Sequence, residues 1–173
     1  GQVIVPTFSL IRRPPSSTPT STRSPYAARI RANAGTLTLT NAAEIASSST
    51  GTMSDAGDAG SVTINASGSF TSNASTVSTS AEHARGGDIV IDAQSVELSN
   101  GALISANSNA PFSAGGEGDA GDITIHSGST FMMENSKVTT EASQASGGQI
   151  EITAPEMVQL INSRVSTSVK GAA

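Results

Sequence analysis

Two histidines, His83 and His126, and a scatter of carboxylates are the groups best suited here to proton transfer or ligation. His83, Arg85 and Asp88 lie close together in the chain, and an imidazole, a guanidinium and a carboxylate are the right types to act on a proton or an anion. Proximity in sequence is not a constellation, because catalysis needs a base, its orienting partner and a reacting atom in one geometry. Glycoside cleavage would need two acids roughly 5–9 Å apart. Many stacked Asp and Glu positions reach such a separation by chance.

Two Asp/Gly runs invite a calcium reading: SDAGDAGS over 54–61 and GEGDAGD over 116–122. Asp55 and Asp58, or Glu117, Asp119 and Asp122, carry the oxygen ligands that calcium prefers. Each run occurs once and lacks the register of a tandem Gly/Asp calcium repeat. The plainer reading is a tight turn entering a strand, which Gly and Asp both favour. GGEGDAG has no lysine and no preceding buried strand, so it is not a phosphate loop. No residue is assigned a catalytic, cofactor-binding or metal-ligating role on these signals.

The elements that would position such groups come from a repeat. AGSVTINA (59–66), GGDIVIDA (86–93), AGDITIHS (120–127) and GGQIEITA (147–154) align, and their anchors Gly60, Gly87, Gly121 and Gly148 are 27, 34 and 27 residues apart. A degenerate fifth repeat starts near Ala28, 32 residues before Gly60. The long spacings carry insertions around Ser48–Gly57 and at Asn109–Gly118. Asn109–Gly118 holds Pro111 and Phe112, a rare aromatic on a loop and the first place to look for a specific contact.

Three apolar clusters recur at fixed distances from each anchor. The first is Ile30/Ala32, Val62/Ile64, Ile89/Ile91, Ile123/Ile125 and Ile150/Ile152; the second is Leu37/Leu39, Phe70/Ser72, Val96/Leu98, Phe131/Met133 and Val158/Leu160. The third is a single position: Ile45, Val77, Ile104, Val138 and Val165. Apolar and polar residues alternate through these clusters, the period of half-buried strands, and no helical period appears. One such unit cannot bury its apolar face alone, so the repeats must stack. At about 4.8 Å per strand, five layers make a rod of roughly 24 Å. Asn41, Asn73, Asn100, Asn135 and Asn162 sit between the second and third strands. Asn tolerates left-handed turn backbone and can also bond along a stack as a ladder, and both roles are expected here.

The outward row after the third strand is rich in small polar residues: Ser78 and Ser80, Ser105 and Asn107, Thr139 and Glu141, Ser166 and Ser168. A flat hydroxyl array has the character of an ice-binding surface, but regular Thr ranks are missing and Glu141 interrupts the row.

Composition agrees with a thin, repeated core. The 173 residues include 17 Gly, 29 Ser and 19 Thr but no Trp, one Tyr and four Phe, so large side chains for a wide core are few. The apolar share of 36% is still too high for plain disorder. Without cysteine there is no disulfide framework and no thiolate site. No apolar run approaches the roughly 18 residues needed to span a bilayer, so membrane insertion is not expected. Five of the nine basic residues (Arg12, Arg13, Arg23, Arg29 and Arg31) precede the first acid, Glu44, leaving an acidic body poorly suited to nucleic acid. Residues 6–25 hold five Pro, and residues 1–25 read as a Pro-rich linker or N-terminal cover over the repeats of 26–173.

The repeats resemble the filamentous haemagglutinin-like exoproteins of two-partner secretion, especially the degenerate repeat regions of cyanobacterial and proteobacterial members. The resemblance is carried by GDAGDITI (118–125), VTTEASQASGGQIEIT (138–153) and VQLINSRVSTSV (158–169), and covers roughly residues 28–173. It implies an all-β, right-handed parallel β-helix, a solenoid of about five coils with three short strands each. It further implies export through an outer-membrane secretion partner to the bacterial outer surface or the medium. The implied role is adhesion, aggregation or biofilm formation through a host-cell, matrix or glycan receptor. An N-terminal secretion domain is also implied, and residues 1–25 show no trace of one. The expectation is a structural or adhesive stalk segment rather than an enzyme. The competing expectation is a polysaccharide-binding or polysaccharide-cleaving β-helix, which would need a groove lined with acids and aromatics.

Overall fold

The computed structural model describes residues 2–4, 8–9, 29–50, 57–110 and 118–171. Every regular element in them is a strand: β1 (Gln2–Ile4), β2 (Phe8–Ser9), β3 (Ile30–Ala34), β4 (Thr36–Leu39), β5 (Glu44–Ser49), β6 (Val62–Asn73) and β7 (Thr76–Ala81). There follow β8 (Ile89–Ser99), β9 (Leu103–Ser108), β10 (Ile123–Glu134), β11 (Lys137–Ala142), β12 (Ile150–Thr153), β13 (Met157–Ile161) and β14 (Arg164–Val169). They form two sheets, and every pairing is parallel. The first runs β1-β4-β6-β8-β10-β12, with β3 also on β6 and β13 also on β10. The second runs β14-β11-β9-β7-β5-β2. The chain therefore crosses from one sheet to the other within each repeat, and successive repeats are neighbours in both.

Register follows the sequence clusters. Ile30, Val62, Ile89, Ile123 and Ile150 are successive partners, as are Leu37, Phe70, Val96, Phe131 and Val158 in the same sheet. In the other sheet Ile45, Val77, Ile104, Val138 and Val165 line up. All but Ile30, Ile150, Val158 and Val165 are buried in one apolar cluster shared by both sheets. Phe70 and Phe131 are separated by the smaller Val96, so a ring alternates with a branched chain along the row. This is the close-packed thin core that the scarcity of aromatics requires.

Three strands per repeat is an expectation that needs adjustment. In the middle repeats the first two strands fuse into β6, β8 and β10, of 12, 11 and 12 residues. The register against β8 shifts between Ala66 and Ser69 and between Ser127 and Thr130, so a bulge takes the place of a break. Hydroxyls serve the bulge: Ser127 Oγ donates to Thr130 O at 2.7 Å and Ser129 Oγ to Gln94 O at 2.8 Å. In the last repeat Pro155, which has no N–H to give the ladder, lies between β12 and β13 and keeps them apart.

At the N-terminal end, β1 pairs with β4 and β2 with β5, so two short strands lie inside the stretch read as a linker or cover.

The anchor glycines have a steric cause. A Cβ on Gly87 would lie 2.1 Å from Gly60 O, and one on Gly121 would lie 2.0 Å from Gly87 O. Each anchor's carbonyl thus fills the space a side chain on the next anchor would need.

Candidate functional site

The Asp/Gly runs resolve into bonds between repeats. Asp58 Oδ1 accepts from the Arg85 backbone N–H at 3.1 Å, and Asp88 Oδ1 from that of Asp122 at 3.0 Å. One repeat further on, Asp119 Oδ1 accepts from Ser146 N–H at 2.8 Å and Asp122 Oδ1 from Gln149 N–H at 2.7 Å. These carboxylates supply acceptors where the chain enters a strand, and they are spread along the stack rather than converging. Among the described residues no group of three or more His, Asp or Glu could hold a metal ion. Asp55, Pro111, Phe112 and Glu117 lie outside the described residues.

His83, Arg85 and Asp88 share one corner, between β7 and β8, without forming a unit. His83 is half-buried; Arg85 and Asp88 are exposed. Asp88 is engaged by the amide of Asp122, and Arg85 enters the hydrogen bonding of the corner through its backbone. Among the described residues the ion pair is elsewhere, between Lys170 Nζ and Glu141 Oε1 at 2.5 Å.

His126 gains neighbours that linear reading misses. Asp92 and His126 are register partners, and so are His126 and Thr153. His126 Nδ1 and Thr153 Oγ1 are 2.7 Å apart. Asn65 partners Asp92 on the other side, and its Nδ2 donates to Asn33 Oδ1 at 2.9 Å. An outward polar rank, Asn33–Asn65–Asp92–His126–Thr153, therefore runs the length of the first sheet. The signal was present in the sequence, since four of the five lie five residues after an anchor glycine. An acid, an imidazole and a hydroxyl in line have the residue types of a nucleophilic triad. Catalysis further requires the acid to orient the ring and a water-excluding pocket. Here the ring and the hydroxyl are exposed, and Nδ1, where an orienting acid would bond, faces the threonine.

On the second sheet the hydroxyl row forms two ranks. Ser78, Ser105, Thr139 and Ser166 are successive partners, and so are Ser80, Asn107, Glu141 and Ser168. Ser80 Oγ donates to Ser48 Oγ at 3.2 Å, extending the second rank by one layer. The row expected to face outward is therefore only partly exposed, since Ser105 is buried and Asn107 Oδ1 is buried without a partner among the described residues, whereas Asn33, Asn65, His126 and Thr153 of the first sheet's rank are exposed. The exposed rank can exchange hydrogen bonds with a broad partner.

The asparagine row divides between its two expected roles. Asn41, Asn100, Asn135 and Asn162 have φ of 59°, 54°, 49° and 47°, the left-handed conformation. Asn73 precedes the corresponding slot, which Ala74 fills with φ 47°. Among the described residues no side-chain bond joins two members of this row; Asn73 Nδ2 instead donates to Ser99 Oγ at 3.1 Å.

No family model, curated protein or solved structure matches this sequence.

Proposed function

We propose that this chain is a segment of a right-handed parallel β-helix of about five turns, serving as a structural or adhesive stalk of a large secreted bacterial surface protein of the filamentous haemagglutinin-like kind. The observation that carries the reading is the register itself: equivalent residues of five repeats are partners across two wholly parallel sheets, with the chain passing between the sheets in every repeat. Right-handedness rests on the strong preference of parallel crossover connections for that hand. Polar outward ranks and carboxylates committed to backbone amides favour a scaffold with broad faces over an enzyme. Export through an outer-membrane partner, and adhesion, aggregation or biofilm formation as the outcome, come from the sequence resemblance alone.

An immunoblot of the source organism comparing cytoplasm, protease-shaved cells and medium tests the reading. A band well above 17.3 kDa that is surface-exposed or shed is the expected result. A cytoplasmic band near 17.3 kDa overturns both the exoprotein and the adhesive role. Release of reducing sugar from acidic or neutral polysaccharides, abolished by a single Asp or Glu substitution, would replace the stalk with a polysaccharide-active protein.

A further inference from the structure

We propose that Met132 is an oxidisable site on the outer face of the stack, converted by hydroperoxides to the sulfoxide without disturbing the core behind it. The inference goes beyond the stalk role and does not rest on it.

Met132 and Met133 are adjacent in β10, and strand alternation sends them to opposite faces. Met133 is 1% exposed and sits in the apolar cluster, in register with Leu98; Met132 is 40% exposed. Met132 also lies in an inner layer. β10 pairs with β8 on one edge and with β12 and β13 on the other, so a further layer stacked on β13 leaves the outer face of Met132 open. Every other exposed large apolar side chain among the described residues lies in β13 or β14. Their exposure belongs to the outermost layer, whereas that of Met132 belongs to the sheet face.

The surroundings suit the product as well as the thioether. The register partners of Met132 are Glu97 and Gln159, and both are exposed. Gln159 carries amide N–H groups that can donate to a sulfoxide oxygen, and water reaches the rest of the side chain. At Met133 the same oxygen would enter the apolar interior beside Leu98, where a polar group without a partner is costly.

The chemistry is a two-electron oxygen transfer. A lone pair on Met132 Sδ attacks one oxygen of hydrogen peroxide, and the S–O bond forms as the O–O bond breaks. The proton on the transferred oxygen passes to the departing hydroxide, which leaves as water. Sulfur is oxidised and the peroxide is reduced. A flexible apolar side chain becomes a polar one.

Graded hydrogen peroxide on the full chain, read by tandem mass spectrometry that separates residue 132 from 133, tests the proposal. In buffer, Met132 is expected to take up oxygen at least about tenfold faster than Met133. In urea the two rates converge. Met132→Leu removes the early uptake in β10 and leaves Met133 slow. Met132→Gln, which sets a polar amide where the sulfoxide would be, leaves the urea midpoint unchanged, whereas Met133→Gln lowers it. Equal rates in buffer, a rate difference that persists in urea, or a midpoint lowered as far by Met132→Gln as by Met133→Gln overturns the proposal.

Discussion

Ala74 and Asn100 hold the same slot in successive repeats, each directly following the partnered pair Asn73 and Ser99, and both are left-handed, with φ 47° and 54°. Left-handed backbone brings Cβ against the carbonyl oxygen at a cost of about 1–2 kcal/mol, which asparagine offsets better than alanine. Ala74→Asn is therefore expected to stabilise the fold by about 0.5–1 kcal/mol, and Asn100→Ala to destabilise it by a similar amount. Paired urea denaturation curves check both, and equal midpoints for the two variants and the parent chain would contradict the assignment.

The anchor glycines give a larger effect. With a Cβ on Gly121 only 2.0 Å from Gly87 O, and the three nearest atoms all backbone of Gly87 and Asp88, nothing flexible can yield. Gly121→Ala should cost about 3 kcal/mol or more, or prevent folding. Gly35 has nothing within 4 Å of its would-be Cβ and no left-handed φ. Gly35→Ala should therefore be neutral or stabilise by up to about 1 kcal/mol, by restricting the unfolded chain. Thermal unfolding of the two variants separates a steric requirement from a general dislike of alanine.

These glycines also mark how far the sequence could be read. Row membership was legible to the residue, from Ile30 to Ile150 and from Ile45 to Val165, because burying one face fixes register and periodicity reports burial. Fusion of β6, β8 and β10 was not, since a bulge and a break leave the same polar gap between apolar clusters. Ala74 was hidden for a related reason. Asn73 is the obvious turn residue, yet it sits one position early and spends its amide on Ser99. The Asp runs admit a calcium reading beside the plainer turn reading because their composition is shared by calcium loops and turns. Only the distance of each carboxylate from an amide in the next repeat separates the two.

That separation has a measurable consequence at Asp122, whose Oδ1 accepts from Gln149 N–H at 2.7 Å while its own amide donates to Asp88. Removing the acceptor with Asp122→Ala should cost about 1–2 kcal/mol, and Asp122→Asn, which keeps an acceptor oxygen, less. Millimolar calcium or a chelator should leave the melting temperature unchanged. A calcium-dependent rise that Asp122→Ala removes would restore the calcium reading of the runs.

Two interior threonines provide a matched pair. Thr79 and Thr140 lie one either side of Ala106 in the same inward row, and both are fully buried. Thr79 Oγ1 donates to Gly87 O. Thr140 Oγ1 is buried with no partner. Valine keeps the shape of threonine and deletes the hydroxyl, so the substitution isolates that one group. At Thr79 it strands a buried carbonyl and should cost about 1–2 kcal/mol; at Thr140 it removes an unmet hydroxyl and should stabilise by about 1 kcal/mol. Opposite shifts in the urea midpoint are the expected result. If both variants lose stability alike, the Thr140 hydroxyl has a partner in solution, and an ordered water in that layer is the group to look for.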